Sequence, residues 1–161
     1  MSDFRFCPRC ATPLTEREAG GRRRPSCPAC DYVLWGNPTP VVAAIIEREG
    51  QVLLARSRGW PEKMFALVTG FLEAGESPEQ GVRREVKEEL GLDSTVVGLV
   101  GLYPFEPRNE LLIVYHLLAA AGPIVLSEEL AAYKAVPIEK LKAWPIGTGP
   151  AVQHWLDARR S

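Results

Sequence analysis

Gly70-Phe71-Leu72-Glu73-Ala74-Gly75-Glu76-Ser77-Pro78-Glu79-Gln80-Gly81-Val82-Arg83-Arg84-Glu85-Val86-Lys87-Glu88-Glu89-Leu90-Gly91-Leu92 is the stretch around which the rest of the chain is organised. It reads as a loop feeding a short helix. Ser77 is a good N-cap, and Pro78 takes the first helical position, where its missing N–H costs nothing. Gln80 stands at the capping-box distance from Ser77, and Gly91 is a C-terminal stop. A helix is therefore expected over residues 78–90.

At roughly 100° per residue, Val82, Val86 and Leu90 form an apolar stripe for a core. Glu85, Glu88 and Glu89 fall on the adjacent edge, while Arg83 and Lys87 point away. Like charges at this spacing repel and destabilise an isolated helix. A cation bound among them removes the conflict, and a set of oxygen ligands suits Mg2+ or Mn2+. Three glutamates alone also admit a plainer reading, a solvated acidic face.

The residues around them decide further. The stretch resembles the Nudix box, Gly-x5-Glu-x7-Arg-Glu-U-x-Glu-Glu-x-Gly-U with U a bulky aliphatic. Gly70, Glu76, Arg84, Glu85, Val86, Glu88, Glu89, Gly91 and Leu92 fill every fixed position. The resemblance implies an α/β fold, the Nudix α/β/α sandwich with a mixed β-sheet. It also implies metal-dependent hydrolysis of a nucleoside diphosphate linked to another moiety, a small-molecule substrate. Carried over by position, Glu85, Glu88 and Glu89 are the expected metal ligands, with the carbonyl of Gly70 as a further one. Arg84 is the expected partner of Glu76, tying loop to helix. Glu129 is an expected general base supplied by a later loop, with its neighbour Glu128 leaving the register open. A homodimer is common among such proteins.

The other strong signal lies near the start. Cys7-Pro8-Arg9-Cys10 and Cys27-Pro28-Ala29-Cys30 are separated by sixteen residues and use every cysteine of the chain. This is the spacing of a four-cysteine zinc site, a closed set that makes a structural Zn2+ the expectation. A segment this short has no core of its own, so the metal would hold its fold. Gly20-Gly21-Arg22-Arg23-Arg24-Pro25 between the pairs reads as a basic loop or hairpin, either a solvated tip or a contact for phosphate or RNA. The expected division is a zinc ribbon over 1–36 and a hydrolase domain over 37–161.

Val41 to Ile46 is a continuous apolar run of strand length; Glu49-Gly50 is a turn, and Gln51 to Ala55 the returning strand. Short strands are expected at 65–69, 95–102, 111–119 and 133–136, with an edge strand at 124–126. A helical turn is expected at 137–141. A last helix opens at Thr148-Gly149-Pro150, with Val152, Trp155, Leu156 and Arg159 facing the core.

A four-cysteine ribbon ahead of a Nudix domain resembles the NADH pyrophosphatases, and the short architecture also resembles ADP-ribose and FAD pyrophosphatases. The former carry Ser-Gln-Pro-Trp-Pro-Phe downstream of the box, where this chain has Leu102-Tyr103-Pro104-Phe105-Glu106-Pro107, so NADH selectivity does not carry over directly. Trp60, Tyr103 and Phe105 are candidates for stacking on a bound nucleotide, or packing anchors. The alternatives are a hydrolase that removes an NAD or other cap from RNA, gripping RNA through the ribbon arginines, and a non-catalytic nucleotide-binding module. Missing box glutamates would mark the last, and every one is present.

Composition agrees with a globular protein: 46% of the 161 residues are hydrophobic, 24% are charged, and the formal net charge is −1. Nothing global points to nucleic acid or to an anionic membrane. No run of 18 apolar residues exists and the first residues lack an apolar signal region, so a cytoplasmic protein with no membrane partner is the expectation.

Overall fold

The computed structural model describes residues 4–160. The chain divides into two compact units between Pro38 and Thr39.

In the first unit the two Cys-Pro-x-Cys turns are built alike. The Cys7 N–H donates to the Thr12 carbonyl at 2.8 Å, and the Cys27 N–H to the Tyr32 carbonyl at 2.7 Å. Each turn exits through a residue with φ of 57°, Ala11 or Asp31. Between them β1 (Thr15–Ala19) and β2 (Arg22–Ser26) pair antiparallel across Gly20-Gly21. Residues 20–25 therefore belong to a hairpin, and Arg22, Arg23 and Arg24 lie along its second strand rather than at its tip.

The second unit contains β3 (Thr39–Arg48), β4 (Gln51–Ser57), β5 (Val68–Phe71), α1 (Pro78–Leu90), β6 (Ser94–Phe105), β7 (Glu110–Ala119), β8 (Leu130–Pro137) and α2 (Gly149–Ala158). One six-stranded sheet runs β6-β7-β3-β4-β8, with β5 also paired to β3. The β3–β7 pair is parallel and the other pairs are antiparallel, so the sheet is mixed. Both faces of β3 are covered, which is why its sequence is apolar without interruption. Val41, Ala43 and Ile45 pack with Val152, Trp155 and Leu156 of α2. Val42, Ala44 and Ile46 pack with Val82, Val86 and Leu90 of α1. Full burial of a Val, Leu or Ile side chain here contributes about 1.5–3 kcal/mol. The Nudix sandwich is what this arrangement describes.

Helix α1 matches its expected limits. The Ser77 hydroxyl accepts from the Gln80 N–H at 3.3 Å, and the Gln80 side chain accepts from the Ser77 N–H at 2.9 Å. Gly91 closes the helix in the left-handed region, φ 71°.

Four expectations need correction. Residues 124–126 form no edge strand. The Val125 N–H donates to the Leu90 carbonyl and the Ser127 N–H to the Glu89 carbonyl, so this segment caps the C-terminal end of α1 instead of joining a sheet. Strand β5 begins later than expected and contains Gly70, paired with Val42. Strand β6 runs through Tyr103 to Phe105, so these two aromatics stand on a strand and not in a loop. Arg159 is not a core residue. It follows the end of α2, its side chain is 40% exposed, and its guanidinium pairs with Glu47 at 2.7 Å. Among the described residues no helix is long and apolar enough to cross a membrane.

Candidate functional site

The box places its charged residues around one guanidinium. Arg84 Nε donates to Glu76 Oε1 at 3.0 Å and Nη2 to Glu76 Oε2 at 3.0 Å, a bidentate pair. The same Nη2 donates to the Phe71 carbonyl at 3.0 Å. Nη1 donates to Glu85 at 2.7 Å and to Glu88 at 3.0 Å. The pairing of Arg84 with Glu76 was legible from the box; the bonds to Glu85, Glu88 and Phe71 were not. Glu76 also accepts the Glu73 N–H at 3.2 Å, which folds the loop back onto itself. The Arg84 hydrogen bonds, set against partial burial, hold the Glu76 carboxyl below the usual carboxylate range.

Gly70 lies beneath Glu85. A Cβ built on Gly70 would sit 1.8 Å from the carboxyl carbon of Glu85, so no larger residue fits there without moving that carboxylate.

Glu89 and Glu129 complete the cluster. Burial first, then repulsion from Glu85, Glu129 and Glu88, raises the Glu89 carboxyl to about 7. Burial likewise raises Glu85 against the pull of Arg84, with Glu88 and Glu129 adding to the shift. Glu129, rather than Glu128, is the loop acid whose charge reaches both helix residues. The Glu129 carbonyl accepts the Arg58 N–H at 2.8 Å, which fixes the loop against the end of β4. Arg84 compensates Glu85 and Glu88, whereas no ion pair among the described residues reaches Glu89 or Glu129. Glu89 is half-buried and Glu129 exposed, and carboxylates without a cationic partner are the kind of group that attracts a hard cation.

On the α2 side of the sheet opens a cavity of about 470 Å3 lined mainly by apolar and aromatic side chains. Trp60 and Phe105 both face it, together with Phe65 and Trp144, and Lys63 and Arg108 stand on its wall. Tyr103 does not line it; its hydroxyl is 2.8 Å from His154 Nδ1 on α2. Strand β5 divides the two: Thr69, paired with Ala43, lines the cavity, whereas Gly70, paired with Val42, lies under Glu85 on the opposite, α1 face. Trp144, Lys63 and Arg108 were not legible as site residues, because they reach the cavity from three separate connections between elements.

The cysteines form their own centre. Their four sulfurs lie within 4.8 Å of one another, the one such group among the described residues. Cys7 and Cys30, and Cys10 and Cys27, stand 3.5 Å apart. The Arg9 and Ala29 N–H groups each donate to a sulfur, of Cys7 and Cys27, at 3.4 Å. The bond to Thr12 pulls the Cys10 thiol down to about 6. The Tyr32 backbone pulls Cys30 down as well, but Cys7, burial and the other two thiols push it up to about 12. Four cysteine sulfurs gathered this closely could hold a metal ion between them.

A mixed sheet between two helices, with the box wrapped around Arg84 and its carboxylates gathered on α1, defines a class of protein. The chain matches the NUDIX domain over residues 37–155 and belongs to the Nudix family. It is 32% identical over 146 residues to the NAD-capped RNA hydrolase NudC of Stutzerimonas stutzeri, covering 90% of this chain and 52% of that protein. It is 32% identical over 119 residues to the human mitochondrial NAD(P)H pyrophosphatase NUDT13, covering 73% of this chain and 33% of that protein. The chain thus spans about half, or less, of the length of these curated relatives. A NUDIX hydrolase from Nitrosomonas europaea shares the fold with a TM-score of 0.80 at 22% identity, over 98% of this chain and 93% of that one.

Proposed function

We propose that the protein hydrolyses the pyrophosphate bond of a nucleoside diphosphate linked to a second moiety, with NADH, ADP-ribose and FAD as the candidate substrates. The observation that carries this reading is the set of box carboxylates gathered on α1 around Arg84. An aromatic-lined cavity on the α2 side of the same sheet supplies a surface for a flat base.

Glu85, Glu88, Glu89 and the Gly70 carbonyl would hold Mg2+ or Mn2+. When bound, that cation neutralises phosphate oxygens and acidifies water. Arg84, anchored by Glu76, fixes Glu85 and Glu88 in place. Glu129 approaches from outside the helix and takes the proton of the attacking water. Trp60 and Phe105 stack on the base, and Lys63 and Arg108 attract the anionic substrate to the cavity wall. The four-cysteine unit forms a zinc ribbon. A tetrahedral zinc with bonds of about 2.3 Å to sulfur needs sulfur–sulfur edges of about 3.8 Å, close to the 3.5 Å and 3.6 Å separations among these cysteines.

Both relatives' names contain NAD, which supports an NAD-linked substrate. One of them also names RNA, which supports a nucleotide carried on RNA as a second form of the same substrate class.

The test is a substrate panel with Mg2+ or Mn2+: NADH, NAD+, ADP-ribose, FAD, a diadenosine polyphosphate and a nucleoside triphosphate, with products separated by chromatography. AMP with reduced nicotinamide mononucleotide from NADH is the expected result, and Glu89→Gln should lower turnover by several orders of magnitude. No turnover of any dinucleotide by the metal-loaded protein would overturn the reading. Light scattering on the same preparation reads the oligomeric state, for which the family resemblance implies a homodimer.

A further inference from the structure

We propose that the arginine face of the β1–β2 hairpin is a binding surface for single-stranded RNA. The inference deepens the RNA-linked form of the proposed substrate and rests on it.

The pairing register divides the hairpin by charge. Arg17 stands opposite Arg24 and Ala19 opposite Arg22, which puts three arginines and no carboxylate on one face. On the other face Glu18 stands opposite Arg23 and Glu16 opposite Pro25. Adjacent residues of one strand, Arg22 and Arg23, thus serve opposite faces. Residues 4–38 carry six arginines and no lysine against three carboxylates, although the whole chain is formally −1. Basic charge is concentrated in this unit and then sorted to one side of its hairpin.

The same face carries an aromatic. Arg24 stacks over the Trp35 ring at 5.2 Å, and its guanidinium also donates to the Trp35 carbonyl and, at 3.2 Å, to the Ala19 carbonyl. Trp35 remains 49% exposed. A guanidinium held over an exposed indole, beside two further arginines, matches a chain of alternating phosphates and bases. The guanidinium has five donors, so these bonds orient Arg24 without exhausting it. Arg17 has a surface partner, Asp31 at 3.3 Å, which a phosphate can replace at small cost.

The chemistry favours RNA over other polyanions. Thr15, Arg17, Ala19, Arg22, Arg24 and Ser26 include no large aliphatic side chain that would enter a lipid surface. A-form duplex RNA closes its deep groove to side chains, whereas unpaired bases are free to stack on Trp35.

The experiment measures anisotropy of a short labelled single-stranded RNA with the full-length, zinc-loaded Glu89→Gln chain, between about 50 and 200 mM salt. Arg22→Glu should weaken binding on the order of tenfold and flatten the logarithmic salt slope by about 0.7 for each phosphate it leaves without a cationic partner. Arg23→Glu, one residue away on the opposite face, should bind almost as the unaltered chain does. Trp35→Ala should weaken binding where Trp35→Phe restores it. Equal weakening at Arg22 and Arg23, or no weakening at either, would overturn the proposal. So would equal competition by inorganic polyphosphate with no effect of Trp35→Ala, or binding to phosphatidylserine vesicles in place of RNA. Zinc content of each variant confirms that the ribbon is intact. Turnover of NADH by the unaltered chain reports the proposed catalysis separately.

Discussion

Gly70 and Glu85 occupy nearly the same space: the carboxyl carbon of Glu85 lies 1.8 Å from where any Cβ at position 70 would be. Glycine fits this first position of the box because the Glu85 carboxyl fills the space a side chain would need. Gly70→Ala should therefore displace Glu85. Displacement costs about 1–3 kcal/mol if the neighbourhood yields as overpacked sites do. Thermal unfolding should show this destabilisation, and turnover should fall further than stability does.

Arg84 bonds to three carboxylates and a carbonyl, which only a planar fork can do. Arg84→Lys keeps the charge but removes the bidentate bond to Glu76. Metal affinity or turnover should drop about 10–100-fold, as expected for a residue that orients ligands. Calorimetric Mn2+ titration beside steady-state kinetics checks it; unchanged values in both would remove the orienting role.

Glu89 offers a pH test. Its folded-state carboxyl is raised to about 7, chiefly by burial and then by its acidic neighbours. A raised acid favours the folded state below its unfolded value near 4.5, and that stability is lost as pH rises through about 7. The metal-free protein should therefore melt at a lower temperature at pH 8 than at pH 6. A bound divalent cation competes with this proton, so its affinity should rise as pH passes 7, and metal should reverse the trend in melting. Glu89→Gln should abolish the pH dependence of binding between pH 6 and 8, leaving only weak affinity.

Cys27 is buried, and its sulfur stands 3.5 Å from that of Cys10. Cys27→Ser should release zinc, measured by elemental analysis, and open residues 1–36 to limited proteolysis. The unit that begins at Thr39 should keep its resistance, because its two cores are formed from its own residues. Retained zinc would sink the ribbon assignment.

Local signals were the legible ones. The capping box of Ser77 and Gln80, the stop at Gly91 and the stripe of Val82, Val86 and Leu90 act within a few residues, so α1 could be delimited from sequence. The unbroken apolar run of β3 revealed a strand covered on both faces, and the repeated Cys-Pro-x-Cys spacing revealed a four-sulfur centre. Each of these rests on chemistry between residues close in the chain.

Long-range pairings decided the rest. Residues 124–126 have strand-like composition, yet their N–H groups go to the open carbonyls ending α1, partners that exist only once the helix has formed. Glu128 and Glu129 are indistinguishable by type; the docking of Glu129 beside Arg58 selects one of them. Trp60 and Phe105 share a cavity while Tyr103, on the same face of β6 as Phe105, bonds to His154, because α2 brings that imidazole to residue 103. The sequence by itself determined the helix, its acidic edge and the cysteine centre, since propensity, capping and ligand spacing are local. Only the tertiary structure decided which distant carboxylate, aromatic and basic groups meet, since that depends on how the sheet brings together segments tens of residues apart.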